Sequence, residues 1–411
     1  MKSLLVISQV YPPDPAAVGQ HIADVTEEMA RRGWRVTVYT AARGYDDPSV
    51  RFTARETRNG VTLRRLPLSS FGKSSIAVRL LAQSLFMIQS LARSLFLRRP
   101  SVILVSTSPP FAGYGGAILS WMRRVPLVWW VMDINPDQMV RSNRLAPTSL
   151  FARVFDWMNR RTLRQAEAVI VLDRFMRDTM LRKVAVPEKI RVIPPWAHDN
   201  VLATLPHESN PFRKAHGLDG TFVVMYSGNA GYSSPLATLL DAAKQLENDP
   251  RILFMFIGGG VIKKQIDELV AREQPPNIRT LPYQPFSELR YSLSAADVHV
   301  VSIADEAVGV VHPCKIYGAL AVGRPVIALA AHESHAADIL NQAPVGWLVQ
   351  HGDVDRLVTL LRSLPEVDPE TLNAMGAAGQ AAVAGVFARD AALDKVCGII
   401  EACAGSPSSL H

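Results

Sequence analysis

Residues Asp297 to Leu329 constrain the fold of this 411-residue chain more than any other stretch. Val298 to Ile303 is a short β-branched run. A mixed loop follows, a helix-compatible segment begins at Lys315, and Gly323-Arg324-Pro325 leads into a second apolar run, Val326 to Leu329. Strand, loop, helix, turn and strand in that order make one unit of an open parallel sheet. In such a sheet the loop at a strand's carboxyl end opens on the ligand crevice, and the next helix points its N-terminus there. A cation at a helix start costs the helix roughly a few tenths of a kcal/mol, so Lys315 at that position implies an anion for it to meet.

Length favours two domains of about 200 residues over a single core. The 48% hydrophobic and 20% charged residues exclude global disorder. Cys314, Cys397 and Cys403 form neither a metal spacing nor an even disulfide framework, which fits a reducing cytoplasm. The opening KSLLVISQVYPP is broken by Pro12-Pro13 too early for a signal peptide and reads as a buried first strand. The long uncharged run Ser101 to Met122 contains Pro109-Pro110 and glycines, so no membrane-spanning helix is expected. Residues 1–200 carry 29 Lys and Arg against 15 Asp and Glu, and the remainder 15 against 22. A basic half beside an acidic half implies an anionic surface as partner. No zinc spacing, helix-turn-helix pattern or aromatic-basic RNA motif supports nucleic acid, so membrane lipid is the expected surface.

In the first half, Leu4 to Ile7, a proline-rich loop from Tyr11 to Pro15, a helix from Val18 to Arg32 and a strand from Val36 to Thr40 form a β-loop-α-β unit. Gly19 lets backbone approach a ligand; an ordinary helix-start glycine is the other reading. Ser74 to Arg99 is amphipathic: Arg79, Gln83, Ser90 and Ser94 fall on one face among leucines, with Arg93, Arg98 and Arg99 toward its end. It is suited to a membrane interface, to packing on its own sheet, or to both at once. Val102 to Ser106 and Val125 to Met132 are strands, and the second ends at Asp133. Carboxyl ends of such strands face the site, so Asp133, and with less support Asp137, are candidates to orient or deprotonate an acceptor hydroxyl, with turn chemistry before Asn135-Pro136 as the alternative. His198, His207 and His216 lack ligand spacing, and no metal is expected.

In the second half, the strand Phe222 to Tyr226 runs into Ser227-Gly228-Asn229-Ala230-Gly231, small residues whose backbone N–H groups can wrap a phosphate. Ile252 to Ile257 ends at Gly258-Gly259-Gly260 in the same way, and Lys263 and Lys264 beyond it read as solvated. Tyr283, after the strand Ile278 to Leu281, can stack on a base or pack a rim. Asp305 and Glu306 can reach sugar hydroxyls or be merely exposed, and His312 is a donor contact or a satisfied loop histidine. Asp353-Val354-Asp355 reads as a helix cap rather than a metal motif.

Lys315, Tyr317, Ala321, Gly323, Pro325, Val326 and Ile327 together resemble the C-terminal signature of family 4 glycosyltransferases of the GT-B fold. The resemblance implies an α/β architecture of two Rossmann-like, doubly wound parallel-sheet domains facing a central cleft. Residues 1–200 would be the membrane-facing acceptor domain, 201–388 the nucleotide-sugar donor domain, and 389–411 a helix crossing back to the first domain plus a loose tail. It implies a retaining, metal-independent transfer from a nucleotide diphosphate sugar to a lipid-linked or otherwise membrane-held acceptor at the cytoplasmic face, without a cofactor. By the same resemblance Gly19, Gly228, Asn229, Gly231, Tyr283 and Lys315 would bind the donor, and by their own positions Gly259, Glu306 and His312 would join them. Three departures stand out: Val18 replaces one glycine of the family pair, Val310 and Gly318 occupy its two glutamate positions, and GYSSPLATLL lacks its Arg and Lys. A nucleotide-sugar epimerase of the same fold and a non-catalytic subunit of a membrane glycosylation complex remain as alternatives.

Overall fold

A computed structural model of the chain describes residues 1–14, 16–44, 47, 49–69, 71, 76–197 and 205–405, and it divides into two compact units. Pro15, the Ser74 start of the amphipathic segment, His198 and the tail beyond Gly405 lie outside the described residues. The first unit joins Met1–Pro195 to the returning segment from Asp390, and the second is Trp196–Arg389.

The first unit holds strands β1 (Ser3–Ile7), β2 (Arg35–Ala41), β3 (Arg55–Arg58), β4 (Val61–Leu66), β5 (Val102–Val105), β6 (Leu127–Trp130), β7 (Ala168–Val171) and β8 (Ile190–Val192) in the order β3-β4-β2-β1-β5-β6-β7-β8. Only the β3–β4 pair is antiparallel. The strands β5, β6 and β7 are buried at every residue, as a sheet covered on both faces requires. The order reverses between β1 and β5, so the loops leaving these two strands meet: Gln9 N–H donates to Ser108 O at 2.7 Å and Ser106 Oγ to Ser8 Oγ at 3.2 Å. The closing helix Arg389–Gly405 belongs to this unit, where Arg32 bonds Asp394.

The Ile76–Leu95 helix is amphipathic with its small polar residues turned inward. Gln83, Ser90 and Ser94 are buried beside Ala82, Phe86 and Met87, whereas Leu81 (55%), Ile88 (61%), Leu95 (42%) and Phe96 (92%) stand exposed. Burial is tolerable because Ser90 Oγ donates to Phe86 O at 2.8 Å and Ser94 Oγ to Ser90 O at 2.6 Å. Arg123 ends the segment by donating to Ser94 O, Leu95 O and Leu97 O.

The second unit is an all-parallel sheet of β9 (Phe222–Asn229), β10 (Ile252–Gly259), β11 (Ile278–Leu281), β12 (Val298–Ser302), β13 (Val326–Leu329) and β14 (Gly346–Val349), ordered β11-β10-β9-β12-β13-β14. Chain order runs outward in both directions from β9 and β12, which makes their carboxyl ends the switch point. Two local expectations change. Lys263 is not solvated but buried against Asp267 at 2.5 Å. Asp137 is held with Asp156 by the buried Lys183, at 2.8 and 2.5 Å, so its carboxylate is committed to an ion pair. Asp353 caps its helix by accepting from Arg356 N–H. Lys183→Met, leaving Asp137 and Asp156 without their shared cation, is expected to lower the unfolding free energy by about 2 kcal/mol, read from urea melts.

Candidate functional site

In the second unit β9 and β10 stay in register beyond their apolar stretches, pairing Gly228 with Gly258 and Asn229 with Gly259. The glycine segments expected as loops are therefore still ladder, and they approach too closely for side chains. A Cβ on Gly258 would stand 2.2 Å from Gly228 O, and one on Gly260 2.5 Å from Asn229 Oδ1. Both Gly228 (φ 128°) and Gly258 (φ 126°) have left-handed backbone that other residues resist.

Lys315 begins the helix Lys315–Ala321, and its stem lies across Gly228, where a Cβ would meet Lys315 Cε at 2.6 Å. Its ammonium sits 5.2 Å from the centre of the Tyr226 ring, and among the described residues no carboxylate pairs with it. Tyr283 Cε2 lies 2.8 Å from where a Gly259 Cβ would be, and Asn229 Nδ2 is 3.5 Å from the corresponding point on Gly231. Gly228, Asn229, Gly231, Gly259, Tyr283 and Lys315 thus converge at one end of the sheet.

Glu306 is exposed on the short turn Asp305–Ala307, and just before that turn Ala304 N–H donates to Ser233 O of the first loop. His312 is buried, with Nε2 2.9 Å from Tyr317 Oη, and Tyr317 Oη is 2.9 Å from His335 Nε2. Its Nε2 is thus taken up by Tyr317, as in the satisfied-histidine reading. Gly19 packs its Cα on the backbone of Val10 and Tyr11, within 3.1 Å of a would-be Cβ, so its missing side chain serves the chain's own packing. At Gly318 an added Cβ would meet nothing closer than Leu293 Cδ1 at 3.8 Å, so space does not dictate the missing carboxylate there.

In the first unit Asp133 follows β6, and its N–H donates to Thr107 Oγ1 at 3.3 Å, which brings it to the switch-point loops. Burial pushes its carboxyl up to about 6. Arg93, Arg98 and Arg99 are exposed around the end of the Ile76–Leu95 helix, and Arg99 donates to Arg124 O. Residues missed by sequence reasoning are Tyr226, read only as the end of an apolar run, and His335.

Two family models match the chain: the glycosyl transferase 4-like domain over residues 16–196 and the glycosyl transferases group 1 over residues 208–382. The chain belongs to the group 1 (family 4) glycosyltransferases of the GT-B fold. It is 23% identical to the probable glycosyltransferase WbjE of Pseudomonas aeruginosa, covering 90% of this chain and 92% of that one. It is 24% identical to the putative colanic acid biosynthesis glycosyl transferase WcaI of Escherichia coli K12, covering 87% and 91%. Among solved structures, Anabaena Alr3699/HepE in complex with UDP superposes with a TM-score of 0.69 at 19% identity, over 98% of this chain and 100% of that one. WaaG, a glycosyltransferase involved in lipopolysaccharide biosynthesis, superposes at 0.70 with 14% identity over 97% and 99%.

The raised Asp133 pKa sets the sign of a pH effect. An acid whose folded pKa exceeds its unfolded one costs nothing while protonated in both states, and the penalty grows as pH rises from the unfolded value through about 6. Asp133→Asn should therefore match the native stability near pH 4 and exceed it above pH 6, measured as the pH dependence of Tm.

Proposed function

We propose that this glycosyltransferase moves a sugar, with retention at the anomeric carbon, from a nucleotide diphosphate sugar to a lipid-linked acceptor held at the inner face of the cell membrane, as a step in polysaccharide assembly. The observation that carries the donor half is Lys315: a cation laid on a glycine ladder with no carboxylate among the described residues to neutralise it. As the bond from the anomeric carbon to the diphosphate breaks, its electrons pass to the phosphate oxygen. Lys315 and the backbone amides around Gly228 and Gly259 are the groups fixed to meet the growing charge. Donor complexes with UDP and UDP-glucose of the HepE relative, and the names of WcaI and WaaG, support this reading. Asp133, ionised above about 6, takes the acceptor side, accepting a hydrogen bond from the attacking hydroxyl.

Membrane attachment is supported by the first unit's surface. Besides the outward Leu81, Ile88, Leu95 and Phe96, the Ala112–Arg123 helix exposes Trp121 and the Leu150–Gln165 helix exposes Leu150, Val154 and Trp157. No Asp or Glu occurs between residues 57 and 132. No helix among the described residues is long and apolar enough to cross a membrane. Apolar side chains ringed by arginines match an interfacial, anionic-lipid contact.

Lys315→Ala should reduce turnover about a hundredfold, equivalent to about 3 kcal/mol of lost transition-state stabilisation, while the melting curve is unchanged; full activity in a nucleotide-release assay would remove Lys315 from the site. Arg93→Glu, Arg98→Glu and Arg99→Glu combined should abolish cosedimentation with vesicles containing anionic lipid without altering the fold, and undiminished binding counts against the membrane half.

A further inference from the structure

We infer that Tyr226 is the positioning residue for Lys315: its buried ring holds the ammonium in place without neutralising it, so that the two residues bind phosphate as one unit. This rests on the reading of Lys315 as the diphosphate-binding cation. A lysine head on a four-carbon stem has many rotamers, and binding an anion at a fixed point requires that most be excluded. Two devices exclude them here. The stem is laid flat where Gly228 lacks a Cβ, with the would-be Cβ 2.6, 3.2 and 3.6 Å from Lys315 Cε, Cδ and Cγ. The head ends 5.2 Å from the centre of the Tyr226 ring, within cation–π range.

The ring itself is fixed. Tyr226 is 1% exposed, its strand position pairs with Phe256 of β10, and its hydroxyl donates to Asn229 O at 2.9 Å. That hydrogen bond also ties the ring to the strand end whose glycine admits the lysine stem. A carboxylate in the ring's place would hold the ammonium as firmly but would cancel the charge that a diphosphate needs. A π face attracts the cation through its quadrupole and leaves the full positive charge available to a ligand.

The test is a double-mutant cycle on the full-length protein, with inorganic pyrophosphate affinity measured by calorimetry in the wild type, Tyr226→Leu, Lys315→Ala and the double variant, and Tyr226→Phe alongside. Tyr226→Leu is expected to weaken pyrophosphate about tenfold, Tyr226→Phe to stay within about twofold, and Tyr226→Leu to add nothing once Lys315 is alanine. Equal losses in both lysine backgrounds, or none on Tyr226→Leu, overturn the inference while leaving Lys315 in place. Unchanged affinity in Lys315→Ala overturns the Lys315 reading and the inference with it. Should Tyr226→Leu not fold, ¹³C-dimethylated lysines of the wild type supply the answer: the Lys315 methyl signal, assigned with Lys315→Arg, should be shifted upfield by the ring, and an unshifted signal overturns the inference.

Discussion

The site depends on the close approach of two strand ends where Gly228 and Gly258 put no side chain between them. β9 and β10 remain paired through Gly228–Gly258 and Asn229–Gly259, and the 2.2 Å separation between a hypothetical Gly258 Cβ and Gly228 O leaves no room for even a methyl group. Closing the ladder there frees a flat strip of backbone at the carboxyl end of the sheet, and Lys315 lies on it. A bulkier residue at either position would lift the lysine, misplace Asn229 and separate Tyr283 from Gly259. Backbone geometry therefore comes first in this site, and charge is placed on it second.

The lysine's position costs the protein little because no carboxylate among the described residues competes for it. Neither the glycine turn nor the helix Lys315–Ala321 supplies an acid, and the two acids nearest in sequence, Asp305 and Glu306, are exposed on the preceding turn. Elsewhere the chain neutralises its buried cations: Lys263 against Asp267, Lys183 against Asp137 and Asp156, Arg213 against Asp297. Buried charge without a partner is expensive, and Lys315 stays half-exposed and rests on an aromatic face instead. The contrast sets Lys315 apart from the ion-paired cations.

The first unit, whose sheet also reverses order between two neighbouring central strands, builds a different surface. Its Ile76–Leu95 helix turns serines inward and leucines outward, which is stable only because Ser90 and Ser94 satisfy their hydroxyls on carbonyls four residues back. An amphipathic pattern alone does not say which side faces the core. The exposed apolar stripe, with arginines and no acid near it in sequence, is the feature that an acceptor held in lipid would explain.

The strands were legible because a sheet covered on both faces demands uninterrupted apolar runs, and Leu4–Ile7, Val102–Val105, Ile252–Ile257 and Val326–Leu329 are such runs. The glycine positions and Lys315 were legible too, since strand ends in a doubly wound sheet share one side. Sequence could not show that His312 spends its Nε2 on Tyr317, that Asp137 belongs to Lys183, or that Tyr226 lies beneath Lys315, because these pairs form between segments whose spacing carries no periodic signal. By itself, then, the order of residues determined two parallel-sheet units and the kinds of groups at their carboxyl ends, through local hydrophobic patterning. Only the tertiary structure decided which of those groups face one another, because that depends on strand register and on the absence of a Cβ at a few crossing points.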